Sequence, residues 1–205
     1  MQRIIPSIIA KNQKEFDERF DKVKNLGSWF QLDVMDGKFV GNKSLRFGLS
    51  LVKGKKYEVH LMVKNPLRWV KENWDKADRV VLHVESDNVS EAVEFVRKKR
   101  RKVDLALNPR TPISKIEEFG RIDGVVIMTV SPGEYGGRFL DSMVKKVREV
   151  RKKYPRLNIE ADGSVNERTV RRLFRAGANR FIVGSYLQKS DNVRKDIDIL
   201  KKLIK

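Results

Sequence analysis

Val80-Val81-Leu82-His83-Val84, then Val89-Ser90-Glu91-Ala92-Val93-Glu94-Phe95-Val96-Arg97-Lys98-Lys99-Arg100, then Val103-Asp104-Leu105-Ala106-Leu107: this stretch sets the reading of the fold. A short apolar run is followed by a charged segment and then by a second apolar run. The runs are rich in Val and Leu and do not alternate cleanly with polar residues, as expected of parallel strands covered on both faces. The segment between them places apolar residues at three- and four-residue intervals, the spacing of an amphipathic helix. The stretch predicts one strand–helix–strand unit.

The same pattern repeats outward in both directions. Apolar runs occur at Ile4–Ile9, Phe30–Val34, Tyr57–Met62, Val80–Val84, Val103–Leu107, Val125–Met128, Leu157–Ala161 and Phe181–Val183, eight in all. Further helical spacing occurs at Glu15–Leu26, Met143–Tyr154 and Arg168–Ala176, with Asn166 expected to cap the last of these and Gly177 to end it. Eight strand–helix units read as an α/β fold, a (β/α)8 TIM barrel, with a doubly wound open sheet as runner-up. No linker, low-complexity tract or composition break interrupts the pattern, so residues 1–205 are expected to form one domain.

Composition narrows the function classes. A chain of 205 residues is near the short end for such a barrel, so its loops must be short. Without cysteine there are no disulfides and no thiolate metal sites. The start, Met1-Gln2-Arg3-Ile4-Ile5-Pro6, lacks a signal-peptide pattern, and no apolar run approaches the ~20 residues of a membrane span. A cytoplasmic protein with no membrane partner is expected. The net charge of +18 arises from 45 Lys and Arg against 27 Asp and Glu. The basic residues are mixed with acidic ones on the helices, and no aromatic–basic cluster forms a base-stacking platform. A solvated, ion-paired exterior is therefore favoured over a nucleic-acid-binding barrel. The positive field would also attract a phosphorylated substrate.

In either candidate fold, function sits at the C-terminal ends of the strands. The second run ends in Gln31-Leu32-Asp33-Val34-Met35-Asp36-Gly37, the third in Val59-His60-Leu61-Met62, the fourth in His83-Val84-Glu85, and the seventh in Glu160-Ala161-Asp162-Gly163-Ser164. Both histidines of the chain lie at such ends. Any one of these residues alone reads more readily as a turn cap or a satisfied core group; the set at matching strand ends favours a site. Asp33 and Asp162, from different sides of a barrel, would be placed to act on opposite faces of one carbon by general acid–base catalysis. A carbon next to a carbonyl gives up its proton only if the enediolate is stabilised, and Asp33, His60 and Asp162 are suitable ligands for a divalent metal.

Glycine-bearing loops follow the last three runs: Ser131-Pro132-Gly133-Glu134-Tyr135-Gly136-Gly137, Gly163-Ser164 and Gly184-Ser185. Their backbone N–H groups are expected to approach a phosphate, as late loops of barrels do, and Thr129–Arg138 reads as a lid. Met35, Met62 and Met128 also sit near strand ends, where methionine fills a core as readily as it lines a site.

The motifs Ile5-Pro6-Ser7-Ile8, Leu32-Asp33-Val34-Met35-Asp36-Gly37-Lys38-Phe39-Val40, His60-Leu61-Met62-Val63, Leu107-Asn108-Pro109, Met128-Thr129-Val130 and Asp162-Gly163 resemble, in order, those of the ribulose-phosphate 3-epimerase family. The resemblance implies a ribulose-phosphate-binding barrel and a carbohydrate-metabolism isomerase of the pentose phosphate pathway. It would epimerise D-ribulose 5-phosphate and D-xylulose 5-phosphate at carbon 3 through an enediolate. It further implies a divalent cation (zinc, iron, cobalt or manganese), acid–base and metal-binding roles for Asp33 and Asp162, and a metal-binding and substrate-side role for His60. Ser7, Met35, Met62 and Met128 match substrate-contacting positions, and Gly133, Glu134, Tyr135, Gly136, Gly163, Ser164, Gly184 and Ser185 fall where the family holds phosphate.

The chain also departs from the family pattern. Gln31 stands where the family usually has a metal-binding histidine; its amide oxygen is a harder, weaker ligand for zinc, which shifts the expected preference towards manganese or magnesium. Gly133-Glu134-Tyr135-Gly136 replaces Gly-Phe-Gly-Gly, and Gly41 replaces a proline. Ser164 replaces a second glycine and resembles the allulose-6-phosphate 3-epimerases. A hexulose phosphate substrate, or a phosphate-binding paralogue with weakened or lost activity, are the alternatives. A homo-oligomer is compatible with the sequence.

Overall fold

A computed structural model describes residues 3–205, so Met1 and Gln2, where the expected start of the chain was read, lie outside the described residues. Eight parallel strands form the sheet: β1 (Ile4–Ile8), β2 (Trp29–Asp36), β3 (Lys56–Met62), β4 (Arg79–His83), β5 (Lys102–Leu107), β6 (Gly124–Met128), β7 (Asn158–Asp162) and β8 (Arg180–Val183). Each strand pairs with the next, and β1 pairs with both β2 and β8, so the sheet closes into a barrel. The expected (β/α)8 barrel is the observed fold. A two-residue strand, Lys43–Ser44, lies antiparallel to the end of β2.

The described helices are α1 (Gln13–Val23), α2 (Pro66–Asn73), α3 (Val89–Lys98), α4 (Ser142–Lys153), α5 (Val170–Ala176), α6 (Ser185–Gln188) and α7 (Val193–Leu203); α1, α3, α4 and α5 follow the predicted spacing with shifted ends. The local chemistry explains several starts. The Asn12 side chain accepts from Glu15 N at 2.9 Å and the Glu15 carboxylate accepts from Lys11 N at 2.8 Å, two bonds that satisfy N–H groups left open at the start of α1. Asn65 caps α2 with Pro66 in its first turn.

Three expectations are corrected. The unit after β2 has no helix: residues 37–55 run as a loop with the short strand Lys43–Ser44, because the glycines at 37, 41, 48 and 54 break any helical run. The unit after β5 has only a 3₁₀ segment, Ile113–Phe119. Asn166 does not cap α5. Its side chain accepts from Arg168 N two residues on, an Asx turn ahead of a helix that starts behind Thr169. Gly177 does end α5, with φ +113°.

Strand alternation divides the interior in two. Outward residues such as Leu32, Val59, Leu82, Leu105, Ile127, Ile159 and Phe181 pack with Phe16, Val93, Val147, Leu173 and Leu200 of the helices into one continuous core. Burial of each such side chain contributes roughly 1.5–3 kcal/mol. Inward residues are mixed: polar side chains share this side with Ile5, Met35, Met62 and Ile182 and with a small cluster of Val81, Ala106, Val126 and Met128. Towards the N-terminal ends of the strands the inward positions carry Glu58, Arg79, Asp104, Glu160 and Arg180, all buried. Arg79 pairs with Glu58 and Asp104, and Arg180 pairs with Asp104 and Glu160. Burial, with Glu58 nearby, raises the Glu160 carboxyl well above its ordinary value. Gly124 makes room for this charged floor: a Cβ there would lie 2.5 Å from an Arg180 nitrogen and 2.9 Å from the Asp104 carboxyl carbon.

Candidate active site

Two residues further along the strands, the inward positions change from charged floor to site. The β2–β3 ladder pairs Asp33 with His60 and Met35 with Met62, and the β6–β7 ladder pairs Met128 with Asp162. Side chains far apart in sequence are thereby delivered to one end of the barrel. The ligand atoms of Asp33, His60 and Asp162 all lie within 4.8 Å of one another. His60 Nδ1 is 3.0 Å from Asp162 Oδ2 and 3.4 Å from Asp33 Oδ1. Gln31 completes the group, its Nε2 donating to Asp33 Oδ1 at 2.8 Å and to Asp162 Oδ2 at 2.9 Å.

Electrostatics bind these groups into one unit. Burial raises the Asp33 carboxyl, the Asp162 charge raises it further, and the hydrogen bond to His60 pulls it back. Burial alone would lower His60, but its hydrogen bonds and charge contacts with Asp162 and Asp33 outweigh that and push it up to about 10. Asp33 and Asp162 thus surround a position that attracts positive charge.

The donor set suits a divalent cation. Two carboxylate oxygens and one imidazole nitrogen converge, and the Gln31 Oε1 atom is buried without a hydrogen-bond partner. Amide oxygen and nitrogen are interchangeable by a half-turn of the side chain. In the turned orientation Oε1 would face the carboxylates and could join the ligand set, so the residues present fit a metal ion. The Asp33–His60–Asp162 cluster is therefore one that could hold a divalent metal.

Above the carboxylates lies a cleft of about 520 Å³, open to solvent. Ser7, Asp33, Met35, Met62, Met128 and Asp162 form its lower part. Gly133, Glu134, Tyr135, Gly136, Gly163, Ser164, Gly184 and Ser185 form its upper part, so the glycine-bearing loops do meet in space. Gln31 and His60, both fully buried, lie beneath the cleft and do not line it. At the mouth, Gly184 permits a close approach: a Cβ there would lie 2.5 Å from Ser7 Oγ and 3.0 Å from the Tyr135 ring. Burial pushes the Tyr135 hydroxyl up to about 12. The Arg19 guanidinium sits 6.0 Å from the Tyr135 ring centroid, a contact with no signal in the sequence. Ser164 holds the left-handed φ of +48° usually left to glycine, and its hydroxyl donates to Gly137 O. The serine thereby ties the loop after β7 to the loop after β6.

Sequence reasoning noted His83 and Glu85 at the end of β4 but left both out of the site. The structure puts His83 Nε2 2.9 Å from His60 Nε2, and Glu85 Oε2 3.3 Å from His83 Nδ1. The signal was present: strand alternation puts residues 81, 83 and 85 on one face, and His60 is paired with Val81.

Comparison with known proteins agrees with this geometry. The sequence profile described as the ribulose-phosphate 3 epimerase family matches residues 3–188. The cytoplasmic isoform of ribulose-phosphate 3-epimerase from Oryza sativa subsp. japonica is 33% identical over 98% of this chain and 94% of its own. The ribulose-phosphate 3-epimerase of Bacillus subtilis is 30% identical over 98% of this chain and 99% of its own. Among solved structures, 3-hexulose-6-phosphate synthase from Salmonella typhimurium matches with a TM-score of 0.76 at 15% identity, covering 99% of this chain and 98% of that one. KGPDC from Streptococcus mutans matches with a TM-score of 0.71 at 14% identity, covering 100% of this chain and 97% of that one. At such identities the structural matches speak for the fold alone.

Proposed function

The chain belongs to the ribulose-phosphate 3-epimerase family of isomerases, and on that premise we propose that it interconverts D-ribulose 5-phosphate and D-xylulose 5-phosphate by two-base proton transfer at carbon 3. The observation that carries the reading is the pair of carboxylates. Asp33 Oδ1 and Asp162 Oδ2, from strands on different sides of the barrel, both accept from one Gln31 nitrogen at the bottom of the cleft.

Within this reading, one aspartate in its carboxylate form takes the proton from carbon 3, and the electron pair moves onto the carbon 2 carbonyl oxygen. The other aspartate, holding a proton, delivers it to the opposite face of carbon 3, and the carbonyl re-forms with inverted configuration. The raised Asp33 carboxyl brings a general base closer to the operating pH, which favours proton transfer in both directions. Asp33, His60, Asp162 and Gln31 would hold the divalent ion, which supplies Lewis-acid stabilisation of the enediolate oxygens when bound. Met35, Met62 and Met128 give the reacting carbons an apolar, polarisable wall that keeps water away. Gly133–Gly136, Gly163-Ser164 and Gly184-Ser185 offer backbone N–H groups to the phosphate, with Ser7 at the sugar. Manganese, cobalt, iron and zinc are the candidate ions. Gln31 favours the harder of them.

The test is conversion of ribulose 5-phosphate in heavy water with each metal added in turn. Turnover with deuterium appearing at carbon 3 supports the reading; no conversion and no exchange with any metal refutes it. Ser164 at the loop junction motivates a second substrate, a hexulose 6-phosphate, and the ratio of kcat/KM for the two sugars decides between them.

A further inference from the structure

We propose that His83 and Glu85 are positioning residues that fix the ring of His60 so that its Nδ1 faces the space between Asp33 and Asp162. The argument starts at Glu85. Its Oε1 accepts from Asn108 N at 2.9 Å and from the Thr111 hydroxyl, and its Oε2 lies 3.3 Å from His83 Nδ1. The Lys146 ammonium donates to the carbonyls of Asn108, Pro109 and Thr111, which anchors the loop that anchors Glu85. Burial works against charge on Glu85, but the hydrogen bonds from His83, Thr111 and Asn108 outweigh it and hold the carboxyl below its ordinary range.

An ionised carboxylate only accepts, so the proton between Glu85 and His83 belongs to His83 Nδ1. His83 is fully buried, with the Phe39 ring 4.8 Å away, and its Nδ1 faces a carboxylate, the arrangement of a neutral imidazole that donates from Nδ1. Its Nε2 is therefore an acceptor. Two Nε2 atoms 2.9 Å apart share one hydrogen, and that hydrogen must come from His60. The rings lie nearly parallel, 14° apart with centroids at 5.0 Å, so the contact also sets the orientation of His60. With Nε2 committed as a donor, Nδ1 is the nitrogen left to face the carboxylates, 3.0 Å from Asp162 and 3.4 Å from Asp33. A second residue that takes the far ring proton of a ligating histidine is a general device for fixing its tautomer and raising its basicity. Here the carboxylate acts through an intervening imidazole.

The inference rests on the reading of Asp33, His60 and Asp162 as a metal site, and two measurements separate the failure of one from the failure of the other. In the metal-free protein at neutral pH, correlation of ring nitrogens with carbon-bound protons by NMR is expected to show His83 neutral and protonated at Nδ1. An Nε2–H tautomer or an imidazolium at His83 overturns the proposal, whatever the enzyme turns over. Cobalt(II) titration followed by its visible spectrum is the second measurement. His83→Leu is expected to weaken cobalt binding about 10- to 100-fold, and His83→Gln, whose side-chain oxygen can still accept from His60, to recover part of it. Equal cobalt affinity in the wild type and both variants overturns the proposal. Should His83→Leu fail to fold, the wild-type tautomer and His83→Gln decide alone. Failure to convert ribulose 5-phosphate while the tautomer and cobalt results hold would instead refute the epimerase reading. A kcat decrease in His83→Gln without change in KM separates ring positioning from general loss of structure.

Discussion

His60 stands beside Asp33 in the ladder between β2 and β3, and its Nδ1 lies 3.4 Å from Asp33 Oδ1 while also reaching Asp162 Oδ2 at 3.0 Å. One imidazole thus joins two carboxylates that arrive from strands on different sides of the barrel. Any change to one of the three alters the charge and proton balance of the other two.

Asp33→Asn and Asp162→Asn are each expected to lower kcat by roughly 10²–10⁴-fold with a smaller effect on KM, since on the proposed mechanism each removes a proton carrier and leaves the glycine-bearing loops intact. The two variants should also differ in kind. Each keeps one carboxylate, so each should still exchange the carbon 3 hydrogen of the epimer that presents its proton to the surviving face. Deuterium wash-in measured separately with ribulose and xylulose 5-phosphate checks this, and loss of exchange with both sugars in both variants contradicts it.

Gln31→His is expected to tighten binding of zinc and cobalt by about tenfold or more, because imidazole is a softer and stronger ligand than an amide oxygen. Competition titration against a chromophoric chelator measures it. The same substitution removes the Nε2 donor that now bridges the two aspartates, so the metal-free variant is expected to melt lower than the wild type.

Much of this site could be read from the sequence because strand ends, glycine-bearing loops and family motifs are local signals. Asp33, His60 and Asp162 each sit in a recognisable run, and the barrel rule brings them together. What could not be read depends on contacts across the barrel. Arg180 meets Asp104 across 76 positions of sequence, and no periodicity foretells which guanidinium finds which carboxylate. Arg19 over Tyr135 is a contact of the same kind. The helix expected after β2 failed for a different reason: the regular repeat of the other units outweighed four glycines that argue locally against it.

Gly124→Ala is expected to destabilise the fold by about 2–4 kcal/mol, since the new Cβ would press on both Arg180 and Asp104 and force apart a buried pair. Urea unfolding at neutral pH checks this. A change below about 0.5 kcal/mol would mean that the floor relaxes around the methyl group.

Asp36→Asn bears on pH dependence. Asp36 Oδ1 accepts from Lys38 N at 2.8 Å and Phe39 N at 2.9 Å, and Oδ2 accepts from Lys64 N at 2.8 Å. Burial works against its charge, but these N–H groups outweigh burial and hold the carboxyl below its ordinary value of 3.8. A depressed folded value contributes stability that is present above 3.8 and lost as pH falls through the folded value. The variant is therefore expected to lose about 1 kcal/mol at pH 7, where solvent screening keeps the effect modest, and to converge with the wild type in strong acid. Melting curves from pH 7 down to about 2 check the convergence.

The charged floor has a consequence for how the chain is made. Arg79 is synthesised early, but Arg180 belongs to the last strand. Until it emerges, Asp104 has only Arg79 opposite it, and Glu160 lacks the guanidinium it pairs with. A barrel missing its final stave would have to bury those carboxylates without that counter-charge, at a cost of several kcal/mol for each ion. Losing the last strand therefore removes both the partner that closes the barrel on β1 and the guanidinium that pairs with Asp104 and Glu160. A chain ended at Asn179 is expected to leave the amides of β5, β6 and β7 open to rapid hydrogen exchange, although every residue of those strands is present.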